Sequence, residues 1–377
     1  MDNITHTLVG AALAETGLKR VTPLATTTLL LAANLPDIDI ITLAFGRQAY
    51  LHYHRGLTHS LIGVPLLATL LAALMWAGSR WIIRPTRTER RARFLPLLML
   101  SWLAMWTHPL LDFTNAYGWR PFLPWSDRWY YGDIAFVVDL WIWGVMGGVM
   151  FLVATRVTES RAHRWLIGFW AALFIVTAAV VVRSDSASIN IKLLWLGVVA
   201  VIAIGRWLFP LNDQQSRRLS LGLLVVLLAY FGALTLLHRA ALSQGEVMSR
   251  AITGERVWQI SAMPLPANPR AWTAVVTTDQ AFYFADWHWL GAELSLSSAT
   301  RYARATGDTA AILAVQHTNQ GQAFLRFARF PATEVRPRGE QFEVIIRDLR
   351  FLSLNTPFQI QIRLDKNLRP IADSPSN

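Results

Sequence analysis

The chain has 377 residues, of which 53% are apolar and only 16% charged, with a net charge of +11 and a pI of about 10.6. Soluble domains carry about 25% charged residues; here the deficit falls on residues 1–238, where long apolar runs alternate with short Arg-rich loops, which excludes a wholly soluble protein. The basic excess sits in those loops, where the positive-inside rule accounts for it and no nucleic-acid partner is expected, while the lack of Cys excludes disulfides, thiolate ligands and a cysteine nucleophile.

Eight hydrophobic segments are predicted, over roughly 4–18, 22–45, 57–79, 94–113, 133–155, 165–183, 190–209 and 219–238, most of them near the roughly 20 residues that span a bilayer. The first is short, fit for a tilted or re-entrant helix. With Asp2 ahead of it and Lys19-Arg20 behind, it does not read as a cleavable signal peptide. Lys19, Arg20, the Arg residues from Arg80 to Arg93, Arg156, Arg161, Arg164, Arg206, Arg217 and Arg218 fall on alternate connections. Arg47, Arg55, Arg120, Arg128 and Arg183 fall on the others. The richer side is expected to be cytoplasmic, which leaves the N-terminus and everything after residue 238 outside.

After Arg239 the composition turns polar, with Pro-rich turns such as 263–269. Phe358, Ile360, Ile362 and Leu364 alternate with polar residues at a period of two, the mark of a strand. Residues 272–278, 281–287, 323–329 and 342–347 are further strand candidates, and 308–317 reads as a helix with Asp308 near its start. The expected fold is mainly α: a polytopic helical membrane domain over 1–240, then a small β-rich extracytoplasmic domain over 245–377.

Four polar clusters interrupt the apolar stretches: residues 3–6, 34–39, 52–60 and 107–112. Ionisable groups at membrane depth are costly unless they pair, face water or bind an ion. His and Asp without Cys are the donor set of a zinc or other divalent centre. At a rise of about 1.5 Å per residue, His6 lies about 20 Å above Lys19, Asp37 about 26 Å above Arg20 and His108 about 22 Å above Arg93. Asp112 and His59 come to about 28 and about 32 Å, so all reach one level in the outer third of the membrane or at its rim.

Within the clusters, His108 and Asp112 stand at i and i+4 on one helical face, as two ligands or as a ligand and its supporting carboxylate. Asp37 and Asp39 follow Pro36, where a helical break turns carboxylates inward. His52, His54 and His59 crowd one loop; His52 is a ligand or an aromatic-belt residue, and the Thr58 hydroxyl is placed to order the backbone there. Arg55 beside a metal suits an anionic group such as phosphate. Asp133 is expected to stabilise a helix N-terminus, Asp139 to be a ligand or its support, and the Trp-rich stretch 119–143 to anchor at the membrane interface.

An N-terminal Thr5-His6, Leu35-Pro36-Asp37-Ile38-Asp39, His54-Arg55-Gly56-Leu57-Thr58-His59-Ser60 and His108-Pro109-Leu110-Leu111-Asp112, in that order, resemble the YdjM-like family over about residues 1–145. Its members are described as inner-membrane-associated, metal-dependent hydrolases. The resemblance implies metal roles for His6, Asp37, His59, His108 and Asp112, and supporting or substrate-facing roles for Asp39, His54 and Arg55. Some members are linked by name to LexA, a role that an outward-facing site does not fit.

The expected function is a membrane-embedded hydrolase holding one to three divalent ions, with Zn²⁺ the leading choice. Asp39 would serve as base and Arg55 as phosphate holder. The expected substrate is an ester or phosphodiester of a lipid or lipid-linked molecule at the outer face of the inner membrane. An ion-coupled or metal-ion transporter and a non-catalytic envelope assembly protein are the alternatives, and the oligomeric state is open.

Overall fold

The computed structural model describes residues 1–81, 91–155, 161–184, 187–208, 211–352 and 358–371. Four of the basic residues used for orientation, Arg84, Arg87, Arg90 and Arg156, lie outside the described residues. The chain divides into two compact units. The first is Met1–Ile38, Arg55–His238 and Met263–Ala271; the second is Asp39–His54, Arg239–Ala262 and Trp272–Asn377.

In chain order the helices are α1 (Asn3–Glu15), α2 (Ala25–Asn34), α3 (Arg47–Tyr53), α4 (Gly63–Trp81), α5 (Phe94–Phe113), α6 (Leu140–Ala154), α7 (Arg161–Arg183), α8 (Ile189–Leu208), α9 (Asp213–Ser249), α10 (Thr309–Gln316) and α11 (Asn319–Phe327). A 3₁₀ helix over Leu35–Phe45 continues α2. Among the described residues five helical stretches are long and apolar enough to cross a membrane: Ala25–Phe45, Gly63–Trp81, Phe94–Phe113, Ile189–Arg206 and Asp213–Ser249. The described apolar parts of α6 and α7 are shorter and α1 has 13 residues, so helix length does not confirm the expected count of eight segments. The expected segment over 133–155 begins as a helix only at Leu140, and that over 57–79 only at Gly63.

In the first unit α1 packs on α2 and α6, and α5 on α2 and α4. Small residues make these approaches close, because helices in lipid gain more from contact than from apolarity. Ala25, Ala32, Ala33, Ala68 and Ala104 are buried between them with Leu29, Val64 and Leu100. A Cβ added at Gly10 would stand 3.0 Å from the Leu29 carbonyl oxygen, so α1 lies against the backbone of α2 there. Local polar groups set the helix starts: Asp2 Oδ1 accepts from Thr5 N at 3.0 Å, and Asp139 Oδ1 from Trp141 N and Ile142 N at 2.8 and 3.1 Å.

The second unit contains two four-stranded sheets, in the orders β1-β2-β3-β4 and β5-β6-β7-β8. The strands are β1 (Val257–Pro264), β2 (Ala271–Thr278), β3 (Ala281–His288), β4 (Thr300–Ala303), β5 (Ala305–Thr306), β6 (Pro331–Arg338), β7 (Gln341–Asp348) and β8 (Gln359–Leu364). One expectation fails here: residues 323–329 were assigned to a strand, yet Asn319–Phe327 is α11. Thr318 Oγ1 caps it by accepting from Gly321 N at 3.0 Å, and Gly321, Phe324 and Phe327 are buried at a spacing of three. The cap and the threefold spacing outweigh the short run of alternating residues. In the same unit α3 packs on α11, with His52 Nδ1 3.1 Å from an Arg326 guanidinium nitrogen.

Candidate metal centre

Each element of the first unit delivers its polar side chain for a local reason. His59 sits at the end of a 3₁₀ turn over Leu57–His59, buttoned by Ser60 Oγ donating to Leu57 O at 2.8 Å and Gly63 N donating to Ser60 Oγ at 3.0 Å. Only glycine fits at 63, since a Cβ there would fall 1.7 Å from the Leu57 carbonyl oxygen. Asp37 comes from the 3₁₀ helix after α2, just past Pro36, which has no N–H to continue an α ladder. His108 and Asp112 lie one turn apart near the end of α5, around Pro109.

These four side chains converge. His59 Nε2 and His108 Nε2 are 3.1 Å apart. Asp37 Oδ1 lies 3.3 Å from the first and 3.4 Å from the second, and Asp112 Oδ2 lies 3.4 and 3.5 Å from them. His59 and His108 are fully buried and Asp112 is 1% exposed, while the Asp37 side chain retains 18%. Two imidazole nitrogens and two carboxylate oxygens facing inward at such spacing have no proton arrangement that satisfies every pair. Asp112 Oδ2, moreover, has no hydrogen-bond donor among the described residues.

The residues present fit a tetrahedral divalent ion. Ligand bonds of about 2.0–2.1 Å imply edges of about 3.3 Å between ligand atoms, and five of the six edges here measure 3.1–3.5 Å. The supporting contacts also suit metal ligation. His108 Nδ1 lies 2.7 Å from the Ala33 carbonyl oxygen, so it donates there and leaves Nε2 free of a proton; His59 Nδ1 lies 3.0 Å from Thr58 Oγ1. A ligating His whose other nitrogen is held in this way has its tautomer and ring plane fixed. Trp119 Nε1 donates to the His59 carbonyl oxygen at 2.6 Å and secures the turn from the other side. Replacing Thr58 by Val is expected to weaken zinc affinity about 10–100-fold while leaving thermal stability in chelator unchanged; isothermal titration with ZnCl₂ and a melting curve check both halves.

Asp112 divides its two oxygens. While Oδ2 faces the imidazoles, Oδ1 takes the Met1 amino group and Arg55, whose guanidinium stands 2.9 Å away. Arg55 also donates to Asn115 Oδ1 at 3.1 Å and to the Gly118 carbonyl at 2.8 Å, and is 3% exposed. It adopts left-handed backbone, φ +51°, beside Gly56. This corrects the expectation of a phosphate-holding Arg55, for its guanidinium is turned into the protein to hold Asp112 and the loop after α5. His6, fully buried, stacks on His108 with ring centres 3.7 Å apart and places Nε2 3.5 Å from Asp112 Oδ1. Neither ring nitrogen of His6 has a hydrogen-bond partner among the described residues.

Among the other expected site residues, Asp39 and His54 belong to the second unit and pair with each other, His54 Nδ1 to Asp39 Oδ1 at 3.3 Å. The Thr58 hydroxyl meets the His59 ring at 3.0 Å. Asp139 is neither a ligand nor its support: it caps α6 and accepts from the Tyr230 hydroxyl at 2.9 Å. Asp133 lies in irregular chain seven residues ahead of the first residue of α6, with φ +53°, so a dipole role at that helix start does not apply. Asn115, the Ala33 carbonyl and Trp119 escaped the sequence reading; of these only Asn115, three residues past Asp112, left a trace in residue spacing.

The fold and the site define a helical membrane protein carrying a His/Asp group that suits a metal ion. Residues 1–187 match the family model described as YdjM inner membrane protein, and this part of the chain belongs to that family. Residues 310–374 match a model described as the YfhP C-terminal alpha/beta plait domain. A curated relative named "Uncharacterized protein YfhP", from Bacillus subtilis (strain 168), is 28% identical over 140 residues, which is 34% of this chain and 39% of that protein. The chain therefore spans well under half the length of this relative. No solved structure matches.

Proposed function

We propose that this protein is a membrane-embedded, metal-dependent hydrolase cleaving an ester or phosphodiester of a lipid or lipid-linked substrate at the outer face of the inner membrane. The observation that carries the reading is the inward-facing group of His59, His108, Asp37 and Asp112 with its 3.1–3.5 Å spacings. A divalent ion of the Zn²⁺ type, when bound, supplies a Lewis acid and an acidified water. The protein's own residues do the rest. Arg55 holds Asp112 in place, the Ala33 carbonyl and Thr58 orient the two imidazoles, and burial keeps bulk water from all but Asp37. One ion is accounted for by the four-atom group, and His6, with both ring nitrogens unsatisfied, is the residue through which the number would rise above one.

A lipid substrate is favoured by what surrounds these residues along the chain. Ile38 next to Asp37, Leu57, Leu61 and Ile62 around His59, and Leu110 between His108 and Asp112 are each 40–56% exposed. On a membrane protein such residues face acyl chains, so the approach to Asp37 is from lipid. The test is metal content of the purified protein, measured by mass spectrometry beside Asp37→Ala and His108→Ala, together with lipid turnover in proteoliposomes. About one divalent ion per chain in wild type, lost in both variants along with turnover, is the expected outcome. Wild type without stoichiometric metal defeats the reading, and flux of Zn²⁺ or protons without ester cleavage favours a transporter.

A further inference from the structure

The second unit holds a cavity of about 1390 Å³ in which the metal centre has no part. Its walls come from residues 45–51, from α10 and α11, and from β8. Cavities for drug-sized ligands measure about 300–1,000 Å³, so this one has room for a longer molecule. No Asp or Glu is among the described residues that line it. Arg47 and Arg363 are among the lining residues, with the carboxamide residues Gln48, Asn319 and Gln320; Gln359 and Gln361 also line it, but their carboxamides are held by Arg347 and Glu343 across the sheet. A carboxamide offers both donors and an acceptor, the complement of neighbouring hydroxyls. The guanidinium fork fits carboxylate or phosphate, and that of Arg47 is stacked 5.0 Å from the ring centre of Phe358.

We propose that this cavity binds an anionic oligosaccharide, with its hydroxyls on the carboxamides of Gln48, Asn319 and Gln320 and its carboxylate or phosphate groups on Arg47 and Arg363. An acidic peptide added as a strand to the open edge of β8 is the competing occupant. That edge is already in use at one end, where Ile371 N donates to Arg363 O at 2.9 Å and Leu364 bridges Pro370. A strand therefore cannot pair along the length of β8, whereas a glycan needs only the side chains. The assignment is independent of the hydrolase reading, because it is tested by binding alone.

The experiment uses the full chain in nanodiscs and calorimetric titration with hexagalacturonate, phosphorylated maltohexaose, unmodified maltohexaose and hexaglutamate. At least one of the two anionic glycans is expected to bind saturably, and the tighter of them shows whether carboxylate or phosphate is preferred. Its affinity is expected to fall tenfold or more in Arg47→Gln and in Arg363→Gln, both exposed positions, with unchanged melting temperatures as the check on folding. Unmodified maltohexaose is expected to bind at least tenfold more weakly. Absence of saturable binding by both anionic glycans, affinities unchanged in both variants, or tighter binding of hexaglutamate overturns the proposal.

Discussion

Replacing Asp112 by Ala is expected to empty the metal centre and destabilise the membrane unit in one step. Its two oxygens serve different partners: Oδ2 faces His59 and His108, while Oδ1 neutralises Arg55 at 2.9 Å. Removing one member of a buried ion pair costs about 3–5 kcal/mol, because the other is left charged in a low-dielectric site. The stability loss therefore belongs to Arg55 and the Met1 amino group, which share Oδ1, and the metal loss to the imidazole side, and the two separate experimentally. In the double variant Asp112→Leu with Arg55→Met the guanidinium charge is gone and only the Met1 amino group is left without its partner, so thermal stability in detergent is expected to recover part of the loss. Metal content is expected to stay near zero. If the double variant melts no higher than Asp112→Ala alone, Arg55 is not held by Asp112 in the way its geometry indicates.

The same pair shows what a sequence can and cannot disclose. His108 and Asp112 are legible because a spacing of four on an apolar helix has one geometric meaning. The direction in which Arg55 points is not legible. It depends on Asn115 and the Gly118 carbonyl, which reach it through an irregular stretch after α5 with no periodicity to read. The Ala33 carbonyl that orients His108 is a backbone atom, invisible to any reading of side-chain types.

The place of residues 46–54 is not legible in the sequence either: they belong to the second unit, where α3 packs on α11. That assignment rests on contacts with residues far along the chain, such as His52 with Arg326, 274 positions away, and no local pattern encodes them. The strand wrongly expected over 323–329 had a local remedy, since Thr318 is a helix cap visible in the sequence.

Chelation is expected to produce the second large effect. Asp37, His59 and the His108–Asp112 pair come from three separate stretches of chain. An ion that binds them only when folded stabilises the folded state by RT ln(1 + [L]/Kd), about 2.7 kcal/mol when the ion is at 100 times Kd. Adding a chelator to the purified protein is therefore expected to lower the melting temperature, and restoring Zn²⁺ to raise it with a logarithmic dependence on free ion. His108→Ala removes Nε2, one of the two imidazole nitrogens 3.1 Å apart, so its melting temperature is expected to be lower at the outset and indifferent to both chelator and Zn²⁺. Thr58→Val, which loses only an orienting contact, is expected to keep the response but shift it to higher ion concentration. A wild-type melting temperature unmoved by chelator, in protein that carries stoichiometric metal, would mean that the ion sits elsewhere, and the four inward-facing ligand atoms would need another explanation.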